Sequence, residues 1–287
     1  MDIKKYEALL SSIDLGSFSA AAEALGYTPA GISRMADAVE DWIGFPILNR
    51  GHDGVTVNAC GADIISEIRQ IVRHEAILKQ QAMDISGLVT GDITVGSYHS
   101  IATHWLPEIF KKFHEDFPGV DIRVREGGHQ FLNEWMAGAE IDFCLYSHDT
   151  ETGYTWFPLK TDRMVVVVPK GHPLADKNAV SFEDCEAYPF VMPAMGDDYD
   201  VKRLLSAHPM KLDIRFSTVE NYSALAMVEC GLGISIMNEL ITRGLKRDII
   251  CLPFEVPQSV SFGIAVADVH SLSPSAKKLI QYIRDGI

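Results

Sequence analysis

Residues 17–50 read SFSAAAEALGYTPAGISRMADAVEDWIGFPILNR, and this stretch decides the fold of the N-terminal part. Ser19 is placed to cap a short alanine-rich helix over 20–25, which Gly26 closes. Thr28 is a good N-cap, and Pro29 suits the first helical position, where no N–H is needed. The helix that follows carries Ile32, Met35, Val39 and Trp42–Ile43 on its apolar face, and Gly44 ends it. Helix, short turn containing Gly26, helix is helix-turn-helix geometry, with 28–40 as the recognition helix.

Upstream, Ile3, Tyr6, Leu9, Leu10 and Ile13 follow the spacing of one helical stripe, broken by Gly16. Downstream, two extended pieces, 46–50 and 55–57, flank Asp53-Gly54, a favoured two-residue hairpin turn. A helix-turn-helix followed by a small hairpin is a winged arrangement. Asn58 is placed to cap a long helix over about 59–86. In it Ile64, Ile71, Leu78 and Ile85 recur every seven residues, with Ile68 and Ala82 between them. This stripe predicts a dimer seam through Ile64, Ile68, Ile71 and Leu78. Packing against its own domain is the alternative.

A break at 87–91 follows, and then the pattern alternates. DITVGSY, VDIRVREG, IDFCLYS, LDIRFSTV, GISIMNE and SFGIAVA read as strands. MVVVVPKGHPLA and YPFVMP read as buried apolar runs. Helices are expected over WLPEIFKKFHEDFP, FLNEWMAG, 198–207, 223–230 and 274–285. Alternation of this kind predicts an α/β domain with a mostly parallel sheet covered on both faces. Two lobes, 91–162 with 263–287 and 163–262, would leave a cleft of the kind small molecules occupy.

A length of 287 residues allows about two domains. Hydrophobic residues at 47% and charged residues at 22% exclude a disordered or collagen-like chain. No apolar run approaches the ~20 residues of a membrane helix. MDIKKYEALL lacks a signal-peptide core, so a cytoplasmic protein without a membrane partner is expected. The five cysteines are scattered without a CxxC pair, which suggests neither zinc nor a disulfide framework. A net charge of −14 argues against a nonspecific nucleic-acid coat protein. The first 58 residues hold four basic groups against eight acidic ones, so even this segment is acidic.

The stretch 17–50 resembles the N-terminal domain of a LysR-type transcriptional regulator. The marks are AAE-x-L, the TPxGISR entry to the recognition helix, Glu40 closing the AxE pattern, and GFPILNR before the wing. VTVNACGADII resembles the family's junction of wing and linker helix. LPEIFKKFHEDFPGVDIRV, GHPLADKNAVSFEDCEAYPFV and VECGLGISIMNE stand where the family has such phrases, so the resemblance runs essentially the full length. It implies an α/β chain with an N-terminal all-α winged helix-turn-helix and a C-terminal two-lobed, periplasmic-binding-protein-like domain. The parts would be a DNA-binding domain (1–58), a linker helix and hinge (59–90), and an effector-binding domain (91–287).

By that resemblance Thr28, Pro29, Ser33 and Arg34 face double-stranded DNA. Arg34 would meet a phosphate or the O6/N7 edge of guanine, and Arg50, beside the wing, the backbone. Many members have Gln where Pro29 stands, and often Arg or Lys where Asp53 stands. With the acidic head, this predicts modest affinity and a shallow salt dependence. Effector contacts are implied at Ser97, Tyr98, His99, Ser100 and Ile101, next to a helix N-terminus that favours an anion. Across the cleft, His129, Tyr146, Ala194, Met195, Thr218 and Asn221 take corresponding positions. A carboxylate-bearing metabolite is family-typical, yet this set has no Arg or Lys, and an inward Glu220 would oppose one. His99 and His129 offer conditional positive charge or simple packing, and an aromatic or neutral effector stays open.

No GxSxG, HExxH or P-loop is present, so no enzyme activity is expected. Gly231-x-Gly233 reads as a tight helix-to-strand turn, not a nucleotide loop. His99 and His104 lack partners for a metal, and no metal or cofactor is expected. Cys144 and Cys230 read as small buried residues. The expected function is a ligand-responsive regulator, a homodimer or homotetramer in which effector binding alters lobe closure and the placement of two DNA-binding heads. The alternative is a cytosolic small-molecule-binding module whose N-terminal helices serve assembly only.

Overall fold

The structure, a computed structural model, describes residues 1–51, 54–85, 90–196 and 198–287. Asp53 and the break at Gly87 lie outside the described residues, as does the Ile85 side chain. The head consists of α1 (Ile3–Asp14), α2 (Phe18–Leu25) and α3 (Pro29–Ile43), then β1 (Leu48–Gly51) and β2 (Gly54–Val57). α4 (Ala62–Ile85) leads to the larger part. There follow β3 (Gly91–Ser97), α5 (His99–His104), α6 (Leu106–Asp116), β4 (Val120–Glu126), α7 (His129–Ala137) and β5 (Phe143–Ser147). Next come β6 (Thr155–Pro169), α8 (Phe182–Glu186), β7 (Pro189–Met192), α9 (Tyr199–Ala207), β8 (Asp213–Ser217) and α10 (Asn221–Glu229). β9 (Ser235–Asn238), α11 (Glu239–Thr242), β10 (Ile249–Pro253), β11 (Ser259–Val266) and α12 (Pro274–Gly286) complete the chain.

Local chemistry explains the head. The α2 cap is Ser17, not Ser19: its hydroxyl accepts from Ser19 N at 3.2 Å and Ala20 N at 3.4 Å, so Phe18 already begins the helix. The Thr28 hydroxyl accepts from Gly31 N at 3.1 Å with Pro29 following it. Ala8, Ala21, Ala22 and Ile32 form a small-residue cluster that lets the three helices approach closely. Leu9, Ala36, Val39, Ile47 and Val55 form the main core of the head. Trp42, expected on the apolar face, is instead 66% exposed. The wing is an antiparallel pair, and Val55 N donates to Gly16 O at 2.9 Å. A Cβ at Gly54 would come within 2.3 Å of that oxygen, and its φ is +96°, so only glycine serves here.

α4 begins three residues later than expected, because Asn58 stays in a turn, where its Oδ1 accepts from Cys60 N at 3.0 Å. The seven-residue stripe divides. Ile68 packs into the head's own core with Ile65, and Ile64, half-buried, packs against the same cluster. Ile71 and Leu78 are 46% and 66% exposed. The other side of α4 lies on the larger domain: Ser66 Oγ donates to Ala137 O at 2.8 Å, and Ser275 Oγ to Gln80 Oε1 at 3.0 Å.

The main sheet runs β10-β6-β11-β5-β3-β4, with β9 also on β6. It is mixed, not mostly parallel. β3 is parallel to β4 and β5, and β7 and β8 form a separate two-stranded parallel sheet. The pairs β11–β5, β11–β6, β10–β6 and β6–β9 are antiparallel. The difference comes from β6, which the sequence presents only as a short apolar run. It continues for 15 residues. Its first part pairs with β11 and its second, from Met164, with β9 and β10. The chain therefore crosses between the two halves on one unbroken strand. Gly231-x-Gly233 is the turn from α10 to β9, and a Cβ on Gly233 would meet Pro189 O at 2.4 Å. No helix among the described residues is long and apolar enough to cross a membrane.

Candidate functional site

Two surfaces stand out. On the head, Thr28, Pro29 and Arg34 are exposed around the start of α3, and Ser33 is half-buried. Arg34 has no ion pair among the described residues. Arg50 is different: Nη1 is 2.6 Å from Asp37 Oδ1, Nη2 is 2.5 Å from Glu40 Oε2, and the guanidinium lies over the Phe18 ring. The cation that the sequence offers to a phosphate is first an internal strut between α3 and β1. Glu40 completes it, since Oε1 accepts from Ile47 N at 2.7 Å and Leu48 N at 3.0 Å.

The second surface is a cavity of about 650 Å³. One wall comes from the start of α5, the end of β4 and α7. The other comes from the β7–α9 loop, the start of α10, and Asn238 and Ile241. Of the eleven positions expected here, Tyr98, His99, Ser100, His129, Ala194, Met195 and Asn221 line it. Four do not. Ser97 is buried and its hydroxyl donates to Tyr98 O at 2.9 Å. Ile101 and Tyr146 are core residues. Thr218 acts through its backbone, accepting from Met195 N at 2.9 Å and donating to Met192 O at 3.1 Å. α5 has six residues, and its start, Tyr98 to Ser100 on the cavity wall, has no side-chain cap.

Sequence reasoning missed the aromatic walls Phe131, Trp135, Tyr199 and Tyr222 and the acids Glu126 and Asp198. The amphipathic spacing of α7 was the available signal for Phe131 and Trp135, which fall one turn apart on its outer side. Nothing local marks Tyr199 or Asp198.

His129 is sandwiched between Tyr199 (3.8 Å between ring centres) and Tyr146 (4.7 Å). Its Nε2 lies 3.3 Å from Asp149 but makes no aligned hydrogen bond. Burial pushes its pKa down despite Asp149, so the imidazole is neutral. His99 Nδ1 pairs with Glu126. Ala194 and Met195 have φ of 48° and 52°. Two successive left-handed non-glycine residues cost roughly 1–2 kcal/mol each, strain of the sort found at ligand clamps.

Asp198 caps α9, accepting from Asp200 N at 3.1 Å and Val201 N at 3.0 Å. Behind it Asp200 accepts from Ser147 Oγ at 2.6 Å and Asn238 Nδ2 at 3.3 Å. Burial first, and then the neighbouring Asp198, push Asp200 up to about 7. The folded state therefore holds a proton that the unfolded chain releases near pH 4. Stability falls as pH rises from about 4 to about 7 and levels off above that. Thermal unfolding at pH 5.5 and 8 is expected to show a drop for the native chain and a smaller one for Asp200→Asn.

Cys144 and Cys185 are buried, and burial pushes both thiols up, Cys185 to about 12. Cys230, expected inside, is exposed. It follows the last turn of α10, where the chain reverses at Gly231. Among the described residues no group of three or more His, Cys, Asp or Glu is arranged to hold a metal.

The chain matches two family models. One, described as the bacterial regulatory helix-turn-helix protein of the lysR family, covers residues 3–62. The other, the LysR substrate binding domain, covers residues 86–287. An uncharacterised HTH-type transcriptional regulator of Bacillus subtilis, YvbU, is 23% identical over 99% of this chain and 98% of its own length. A full-length OxyR variant from Pseudomonas aeruginosa superposes with a TM-score of 0.81 at 18% identity, covering 100% of this chain and 94% of that one. Full-length CbnR in complex with its target DNA gives a TM-score of 0.69 at 15% identity, with 100% of both chains covered. With the second of the two models spanning well over half of its length, this chain belongs to the LysR family of helix-turn-helix transcriptional regulators.

Proposed function

We propose that residues 1–58 bind promoter DNA through the N-terminal half of α3, and that 91–287 bind a small molecule in the cavity. The linker 59–90 joins the two. In this reading the lobes divide at β6, into 91–162 with 263–287 and 163–262. The protein acts by binding and not by turnover, on the chromosome, and hence in the cytoplasm. Ile71 and Leu78 on α4 meet a second copy, which gives a two-fold symmetric pair of heads. An effector changes their spacing only by its differential affinity for two arrangements of the lobes.

The observation that carries the DNA half is Arg34, exposed and without an ion pair among the described residues, beside Thr28 and Pro29 on an exposed helix start. Such a group reads guanine or takes a phosphate at a major-groove edge, worth about 1–3 kcal/mol per specific contact. Retardation of the DNA upstream of the protein's own gene tests it. The native chain is expected to shift the fragment, and Arg34→Ala to weaken the shift at least tenfold per head. The acidic head predicts a small slope of affinity against salt. A shift that ignores both Arg34→Ala and salt would place the DNA elsewhere.

A further inference from the structure

The cavity has a one-sided charge. Its lining includes three carboxylates, Glu126, Asp198 and Glu220, and no lysine or arginine. Arg125, next in sequence to Glu126, is outside the lining: its guanidinium stacks over Trp135 at 4.0 Å and pairs with Glu140 at 2.5 Å. Among the described lining residues, those able to gain positive charge are His99 and His129. His129 is held neutral by burial, and His99 is already spent on Glu126.

Hydrogen-bonding capacity is one-sided as well. The Asn221 amide donates to Asp198, while its Oδ1 is shielded from solvent without a partner. A carboxylate and a carbonyl oxygen side by side call for a donor. Burial pushes the Asp198 carboxyl up, opposed by its hydrogen bonds from Val201 N, Asp200 N and Asn221 and by no cation in the described lining. The aromatic residues Tyr98, Phe131, Trp135, Tyr199 and Tyr222 complete the lining, with one face of Tyr199 taken by His129 and Arg125 over the Trp135 ring. Aromatic faces attract cations by about 0.5–2 kcal/mol each. An anion entering here would shed its water beside Asp198 and Glu220, with no lysine or arginine among the described lining residues to replace it.

Resting on the reading of this cavity as the effector site, we propose that its ligand is an organic cation. It is an amine or amidine with an apolar or aromatic body, its charged head near Asp198, Asn221 and Glu220 and its body against the aromatic wall. A volume of about 650 Å³ suits a metabolite-sized molecule.

The test is calorimetric titration of the full chain with probes that share a body and differ in charge. These are phenethylamine, 3-phenylpropan-1-ol and 3-phenylpropanoate, with 1,4-diaminobutane against succinate as an aliphatic pair. The amines are expected to bind at least tenfold more tightly than their neutral and anionic partners. Asp198→Asn keeps the helix cap, and Glu220→Gln lies on the exposed rim; each is expected to lower amine affinity at least fivefold and to leave the alcohol unchanged. Val219 lines the same cavity and is 69% exposed, so Val219→Arg folds and puts a cation on the wall. It is expected to abolish amine binding and to favour the carboxylates.

Tighter binding of the carboxylates by the native chain overturns the charge class. If Val219→Arg alters that binding, the cavity remains the effector site and only the charge assignment falls. If neither Val219→Arg nor Asp198→Asn changes the affinity of any probe, or no probe binds at all, the charge class and the cavity's role fall together.

Discussion

Glu40→Ala is expected to lower the stability of the head by about 2–4 kcal/mol and to abolish promoter binding. One carboxylate oxygen holds the N–H groups of Ile47 and Leu48, and the other holds Arg50. Alanine leaves two partly buried donors without acceptors, at roughly 1–3 kcal/mol each. It also releases the Arg50 strut, so α3 and the wing lose their fixed relation. Urea unfolding gives the first quantity and gel retardation the second. Glu40→Gln keeps an acceptor oxygen without the ion pair and is expected to fall between. Native stability in Glu40→Ala would show that the apolar pair Ile47 and Leu48 seats the wing unaided.

Arg73→Ala is the second large effect. This side chain leaves α4 and reaches Ile141 O at 3.2 Å, Asp142 O at 3.3 Å and Asp142 Oδ1 at 2.9 Å. Asp142 also accepts from Thr94 N at 2.7 Å. Burial raises the Asp142 pKa, and Arg73 is the main charge opposing that rise. Breaking a fully buried pair costs about 3–5 kcal/mol. With each side chain still nearly a fifth exposed, about 2–3 kcal/mol is expected. Without Arg73 the Asp142 pKa rises further, so the loss is largest at pH 8 and shrinks toward pH 5. Arg73→Ala with Asp142→Asn is expected to recover much of it. Because Arg73 fastens α4 to the larger domain, the single variant should still retard DNA while the ligand-dependent change in mobility disappears. Equal stability at both pH values would assign the fastening to Ser66 and Gln80 instead.

The head was legible because its signals are local. Thr28-Pro29, Gly26 and Gly44 act within one turn of where they stand, and the apolar spacing of α1 and α3 sorts inside from outside. Ser17 and Ser19 were confused because either hydroxyl can cap a helix, and the packing of Phe18 decides between them. The seven-residue stripe of α4 is visible in the sequence, but not that one helix serves two neighbours within its own chain. Ile64 and Ile68 meet the head, Arg73 and Gln80 meet the larger domain, and Ile71 and Leu78 stay exposed. In the cavity, the loops after β3 and β7 were found by chain order. Tyr199, Asp198 and Trp135 arrive from elements whose relative placement depends on β6, and its antiparallel course leaves no periodic trace beyond an apolar run.

That strand also has a mechanical consequence. Fifteen extended residues measure about 50 Å, and hydrogen-bonded neighbours flank β6 on either side of the change of partner near Met164. No neighbour spans that change of partner: β11 pairs no further than Arg163, while β9 and β10 begin at Met164 and Val165. Bending the strand at this point therefore breaks no rung, whereas bending it anywhere else along its length would tear rungs worth about 1 kcal/mol each. The one place where β6 runs without a continuous neighbour is the natural pivot, and a molecule held between the lobes would act on the angle of the chain there.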